Sequence, residues 1–395
     1  MKPSSTSTQK CLVCGSENTR GKHFDVQCCR ACAVFFRRRA GTKYLSLKCQ
    51  SAHCDQKVYF CKPCRLRKCY EVGMKTDKFQ HNRDPLTVRK PSPDSFGHFL
   101  GRSQFVFFCS PEQTSFKKTF IDMRVLISQT SKILQFGPET PYIGPSQLHK
   151  LTASFNFSTA DPKCGKFYEK LDQKTMVRFW EYYVFRTAKW MNNFEEFQSI
   201  PHEMKLQLVL SFWHVFGRLD KLAATARSRR EKVCETDRMW AMSNGMMMDM
   251  DRTKVDFKWL TDHSRDQVLF FLNSLTTWDL TPCIQTIVDL EITDVELNYM
   301  LAQLAFAYAG KRFQGDVLRI CEKFQETLAN DLHRYYVNEL KMPRYFGRLS
   351  QLMKINNAIQ RDIFVNRPRA ELASLFNVFN VKFSHPDMFF DTGFC

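Results

Sequence analysis

Cys29-Arg-Ala-Cys-Ala-Val-Phe-Phe-Arg-Arg-Arg-Ala-Gly41 is the stretch on which the reading of this 395-residue chain turns. It opens on a Cys-x-x-Cys pair and carries no helix breaker until Gly41, a residue suited to the left-handed end of a helix. At about 100° per residue, Arg30, Ala31, Ala33, Val34, Arg37 and Arg38 share one face, and Cys32, Phe35 and Phe36 the other. The first face is cationic with small side chains. The second is aromatic and carries a sulfur. Small residues let such a helix approach base edges in a major groove while the flanking arginines reach guanines or phosphates. A merely solvated basic face is the alternative.

The cysteines around the helix decide between the two. Cys11-x-x-Cys14 and Cys29-x-x-Cys32 are separated by 14 residues, which suits one tetrahedral zinc site closed by four thiolates. Cys28 could substitute for its neighbour, but Cys29 restores the two-residue spacing to Cys32. A second set, Cys49, Cys54, Cys61 and Cys64, predicts a second four-thiolate site, with Cys69 left over as a buried thiol. Two structural Zn2+ ions are therefore expected. The following helix, Cys61–Val72, ends before Gly73 and should pack across the first through Leu66, Tyr70 and Val72.

Charge and cysteine follow the same division. Residues 1–90 hold 20 Lys/Arg against 6 Asp/Glu and 10 of the 16 cysteines, leaving 38 against 34 elsewhere in a chain of net charge +18. A basic excess confined to one end marks a polyanion-binding unit. Met1–Lys10 has no apolar core of a signal peptide, and no run approaches a membrane span. The expectation is a soluble, intracellular, nuclear protein without membrane attachment, whose clustered thiols hold metal rather than disulfides.

Over Cys11–Met74 the chain resembles the DNA-binding domain of nuclear hormone receptors, in order and over its whole length. The pieces that carry the resemblance are the first Cys-x-x-Cys, His23-Phe24, Cys29–Arg38 and Cys61-Lys-Pro-Cys-Arg-Leu-Arg-Lys-Cys-Tyr-Glu-Val-Gly-Met74. The Cys-Arg-Ala-Cys-Ala-Val-Phe-Phe form is similar to the nematode-expanded branch related to hepatocyte-nuclear-factor-type receptors. Lys75–Asp84 is similar to the extension that follows this domain in many members. The resemblance implies a recognition helix in the major groove of double-stranded DNA, with Arg30, Ala31 and Val34 setting half-site choice. Ala33, Arg37, Arg38, Arg65 and Arg67 complete the expected DNA-binding set. The chain departs from the common pattern at Arg30, where the family has Glu, at Ala33, where it has Lys, and in a Cys54–Cys61 gap three residues shorter than usual.

Beyond a Pro/Ser-bearing stretch around Lys90–Gly97, the pattern turns helical. The expected domains are 8–84 for the zinc-finger unit, 85–110 for a linker and 111–395 for a helical unit. Helices are expected at about 117–135, 168–193, 202–226, 237–249, 257–273, 294–309, 315–341 and 344–365, with a short one near 369–379. Gly137, Pro138, Pro141, Gly144, Pro145 and Pro162 are expected to bar any helix between 135 and 168. Thr293-Asp-Val-Glu296 reads as a capping box. This region resembles, more loosely, the nuclear receptor ligand-binding domain. The fold class is therefore mainly α, a two-zinc DNA-binding module followed by a three-layer helical sandwich. That resemblance implies transcriptional coregulators, a homo- or heterodimer, a dimer face near Arg344–Asp362, and room for a small apolar ligand whose contacts are unknown. It puts Lys189 where receptors hold a coregulator clamp; a solvated lysine is the alternative. The clamp's usual partner, a Glu in a final amphipathic helix, is missing from Ser384–Cys395, where Asp391 is the nearest substitute.

Two other classes of protein share parts of this pattern. Catalytic zinc needs an open coordination position, whereas each set here is all-thiolate, and no HExxH, P-loop or GxSxG occurs, so an enzyme is not expected. A zinc-based interaction module of RING or LIM type would share the eight ligands but not the cationic helix face.

Overall fold

The N-terminal segment has few large apolar side chains, so it folds around those few and its sulfurs. In the computed structural model, residues 10–17, 19, 21–49, 54, 61–77, 95–99, 118–272 and 280–394 are described. The chain divides into two units, Met1–Lys90 and Pro91–Cys395. In the first, β1 (Lys22–His23) and β2 (Val26–Gln27) form an antiparallel hairpin. Its turn residues, Phe24 and Asp25, both adopt positive φ, the geometry that matches the twist of the paired strands. Helix α1 spans Arg30–Arg39 and α2 Lys62–Glu71, and Gly41 and Gly73, at φ +75° and +96°, follow their ends. The core is small: Phe36, Leu66, Cys32 and Cys69 are fully buried, and Phe36 meets Phe24 at 5.5 Å and Tyr70 at 5.1 Å between ring centroids. Most of the 85–110 linker and of the 75–84 extension lies outside the described residues, as does the Cys54–Cys61 loop. Within the expected linker, α3 (Phe96–Phe99) packs its two rings on Phe271 and Phe376 of the second unit.

The second unit begins with β3 (Thr119–Ile121) and α4 (Arg124–Phe136). Next comes α5 (Gln147–Phe157), inside the stretch where no helix is expected. Ser146 caps it by accepting from the His149 amide at 3.4 Å, and Leu148, Leu151 and Phe155 form its buried stripe. Pro145 ends just ahead of the cap, so it punctuates the chain without entering the helix. After β4 (Lys166–Phe167) and β5 (Lys170–Leu171) come α6 (Gln173–Met191), the turn α7 (Glu195–Gln198) and α8 (His202–Arg230).

The expected helix at 237–249 is instead a hairpin, β6 (Met239–Ala241) against β7 (Met246–Asp249), with β4 added to β7 in parallel. Gly245 takes φ +79° in its turn, and Asn244 Oδ1 accepts from the Met246 amide. That local chemistry outcompetes helix propensity. A short β8 (Lys254–Val255) pairs with β5 in parallel, and α9 (Arg265–Leu272) occupies only the second half of the expected 257–273 helix.

The remaining helices are α10 (Thr281–Leu290), α11 (Asp294–Phe313), α12 (Gly315–Arg334, continued by a π-helical turn to Glu339) and α13 (Phe346–Leu375). The capping box at Thr293 and Glu296 is formed. The two helices expected at 344–365 and 369–379 are one: α13 runs through Pro368, which forfeits a single hydrogen bond on an exposed face. The chain ends on β9 (Val381–Phe383), parallel to β3 with Thr119 opposite Val381, followed by a 3-10 turn at Pro386–Phe389. Helices α8 and α11 are buried nearly all round, as the middle layer of a helical sandwich must be. Helix α8 packs on α6, α10 and α11, and α11 on α5, α12 and α13.

Candidate functional site: two thiolate tetrads and a basic helix

Cys11 and Cys14 sit on the turn before the hairpin, and Cys29 and Cys32 at the start of α1, so one tetrad fastens the helix N-terminus to the preceding knuckle. Cys61 and Cys64 do the same for α2, together with Cys49 and Cys54. Within each set the four sulfurs lie within 4.8 Å of one another. Tetrahedral zinc with bonds of about 2.3 Å requires sulfurs about 3.8 Å apart. Cys14–Cys29 is 3.7 Å, Cys49–Cys61 3.8 Å and Cys54–Cys61 3.4 Å. A disulfide would require about 2.05 Å. The donor sets thus fit two structural Zn2+ ions with all four positions filled, leaving no site for substrate water.

The two spare thiols stay out of both tetrads. Cys28 is buried, 4.0 Å from the His23 carbonyl, and Cys69 is buried against α1; burial pushes both thiols above their ordinary value. Four thiolates around one dication leave a net charge near −2, which a neighbouring donor can offset. Arg65 is that donor. Its guanidinium donates to Cys32 Sγ at 3.2 Å and lies 4.6 Å from the Phe35 ring centroid. Arg67 reaches the Leu47 carbonyl at 3.4 Å and Cys64 Sγ at 3.6 Å while staying exposed. Arg65, expected on the DNA-binding set, is therefore engaged inward, bridging α2 to the first tetrad. Nothing in the local sequence distinguishes it from Arg67.

On α1, Arg30, Ala31, Arg37 and Arg38 are exposed and Val34 is half-buried. Ala33 departs from the expected face: it is 6 % exposed and belongs to the core with Cys32 and Phe36. Residues three apart lie only about 60° around a helix, so Ala33 flanks the Phe36 stripe and its methyl is taken up by packing. The exposed face is correspondingly narrower and more purely cationic than the helical wheel suggests.

In the second unit, Lys189 ends α6 half-exposed and pairs with Glu139 at 2.9 Å. Asp391 is no surface acid. Its carboxylate is buried and takes two hydrogen bonds from Arg367 at 2.8 Å each and one from Tyr308 at 2.9 Å. This anchor holds Phe389 and Phe394 against Trp180 and completes one wall of a cavity of about 250 Å³. Trp180, Trp213, Trp259, Met248 and Phe394 are among its lining.

Two thiolate tetrads that brace an arginine-bearing helix, followed by a helical unit with an apolar cavity, define a zinc-dependent DNA-binding protein with a ligand-binding-type domain. Residues 9–76 match the family model of the double treble clef zinc finger, C4 type, and residues 162–376 that of the ligand-binding domain of nuclear hormone receptor. The chain is 56 % identical over 395 residues to nuclear hormone receptor family member nhr-90 of Caenorhabditis elegans, with 98 % of each chain covered. It is 41 % identical to nhr-130, over 97 % of this chain and 92 % of that one, and 40 % identical to nhr-115 over 98 % of each, both from the same organism. The protein belongs to the nuclear hormone receptor family, whose members are DNA-binding transcription factors rather than enzymes.

Proposed function

We propose that α1 is the element that enters the major groove, with Arg30, Ala31 and Val34 at base edges and Arg37 and Arg38 at phosphates. The observation that supports this is the exposure of Arg30, Ala31, Arg37 and Arg38, with Val34 half-buried among them, on one face of a helix whose other face is committed to Cys32, Ala33 and Phe36. Arg67 adds a backbone contact from α2, and Arg65 acts through Cys32 instead. Residues 8–84 serve as the DNA-reading unit, 85–110 as the linker and 111–395 as the regulatory unit. The cavity of the second unit takes a small ligand. Lys189 meets coregulators once released from Glu139, and exposed Phe346, Phe364 and Val365 on α13 support a homo- or heterodimer contact. The basic clusters at Arg37–Arg39 and Lys62–Lys68 suit a nuclear address.

Binding to duplex DNA as salt rises tests this reading. Each phosphate contact contributes a log–log slope of about −0.9. Arg37→Ala should make the slope shallower by about that amount on every sequence. Arg30→Ala should change the preferred sequence. A flat salt response, or variants that bind as the parent does, refutes the assignment of α1.

A further inference from the structure

Helix α4 lies on the surface that α6 and α8 form together. Of its 13 residues, spanning about 20 Å, only Leu126, Thr130 and Leu134 are buried, with Ile127 and Ile133 half-buried beside them. The three buried positions are four residues apart, so they make a single stripe along one side. The other side faces solvent and includes the exposed Val125 and Phe136. Few polar contacts fasten the helix. Asn192, at the end of α6, donates from its amide to the Ile133 carbonyl at 2.7 Å, and Ser131 Oγ and His202 Nε2, at the start of α8, are hydrogen-bonded at 2.8 Å. At the other end the Met123 amide donates to Ser384 Oγ at 2.8 Å, beside the β3–β9 pairing. Past α4 the chain turns at Gly137, with φ +76°, and residues 137–145 make no backbone hydrogen bond to any described residue. Glu139 in this stretch is the carboxylate that meets Lys189 at 2.9 Å.

We propose that α4 is an autoinhibitory lid, covering the surface of α6 and α8 on which a partner's amphipathic helix docks and swinging aside when that partner binds. The proposal rests on the reading that Lys189 meets coregulators, and adds that the chain carries its own competitor. The partner helix has aliphatic side chains four residues apart and a carboxylate a few residues past its C-terminal end, because α4 and Glu139 already satisfy the surface and Lys189 in that way. Both members of the Lys189–Glu139 pair are more than half exposed, and such a pair contributes little, so one carboxylate exchanges for another at small cost. The tether decides the competition. A segment joined to its own site acts at an effective concentration on the order of millimolar, which keeps the surface closed to weak partners and yields to strong ones. The β3–β9 pairing anchors the N-terminal side of the lid, and the unbonded 137–145 stretch gives its other side slack.

The probe is a fluorescein-labelled peptide of residues 122–140, read by anisotropy on the full-length protein. Leu126→Asp combined with Leu134→Asp removes the buried stripe of the lid, and this variant should bind the peptide at least about tenfold more tightly than wild type, since apparent affinity scales with the open fraction. Hydrogen exchange of the wild-type protein gives a second reading that needs no folded variant. Amides of 124–136 should exchange faster than those of α8, and faster still with excess unlabelled peptide. Equal peptide affinity for wild type and variant, no binding to either, or α4 amides as protected as those of α8 overturns the lid. Tight binding to the opened variant that Lys189→Met leaves unchanged overturns the role of Lys189 and leaves the lid standing.

Discussion

Glu296→Ala is the substitution whose outcome the structure sets most tightly. Glu296 is fully buried on α11. It accepts from Tyr336 Oη at 2.5 Å, from the Thr293 amide at 2.8 Å and from both Nε and Nη2 of Arg348, the latter at 2.7 Å. One carboxylate thus ties the start of α11 to the end of α12 and the first turn of α13. Removing one partner of a buried pair costs about 3–5 kcal/mol because the other charge is left uncompensated. The Arg348 side chain is 23 % exposed and recovers some hydration, which places the loss near the lower end, about 3 kcal/mol. In a unit of this size that lowers Tm by about 6 °C. All six tryptophans lie beyond residue 91, so urea unfolding of the full-length chain followed by tryptophan fluorescence isolates the second unit.

The same group sets a pH dependence. Burial alone would raise the Glu296 carboxyl, but the donors from Arg348, Tyr336 and the Thr293 amide outweigh it and hold the pKa below its ordinary 4.5. A carboxylate depressed in the folded state stabilises fully above its unfolded pKa and loses that contribution as pH falls through the folded value. The stability gap between wild type and Glu296→Gln should therefore be constant near neutrality and shrink as pH falls below about 4.5. A loss under about 1 kcal/mol for Glu296→Ala, or a gap that ignores acid, would refute the reasoning.

Asp391→Ala should leave Arg367 and Tyr308 without their acceptor and release the C-terminal turn, seen as faster amide exchange over 386–394 and a loss of about 3 kcal/mol. Unchanged exchange there would show that the ring contacts of Phe389 and Phe394 suffice. Arg65→Met should weaken zinc retention in a competition with chelator, by roughly tenfold, as expected when an outer-shell partner of a ligand is removed. DNA affinity measured in saturating zinc should change less. A variant that holds zinc as the parent does would remove Arg65 from the site.

What could be read from the sequence is what local spacing encodes. Eight cysteines at metal-ligand intervals and the capping box at Thr293 and Glu296 need no knowledge of the fold, and the structure contains both. The misses have local causes as well. Ser243-Asn244-Gly245 is a turn signal that the surrounding methionines, good helix formers, obscured. The dense Pro and Gly around Gln147–Phe157 masked a helix whose cap, Ser146, is equally plain once seen. The helices expected at 344–365 and 369–379 are continuous because the amide that Pro368 lacks falls on an exposed face, where one lost bond is tolerated. Other features could not be read at all. Asp391 turns inward because Tyr308, distant in sequence, meets it in space, and Ala33 is buried because Phe36 beside it points into a core that α2 completes.

Zinc content and ligation of the purified full-length protein test the central claim most directly. Two equivalents per chain, each with four sulfurs at about 2.3 Å by X-ray absorption, are expected. Fewer than two equivalents, nitrogen or oxygen in either shell, or ligand cysteines oxidised in pairs would contradict it.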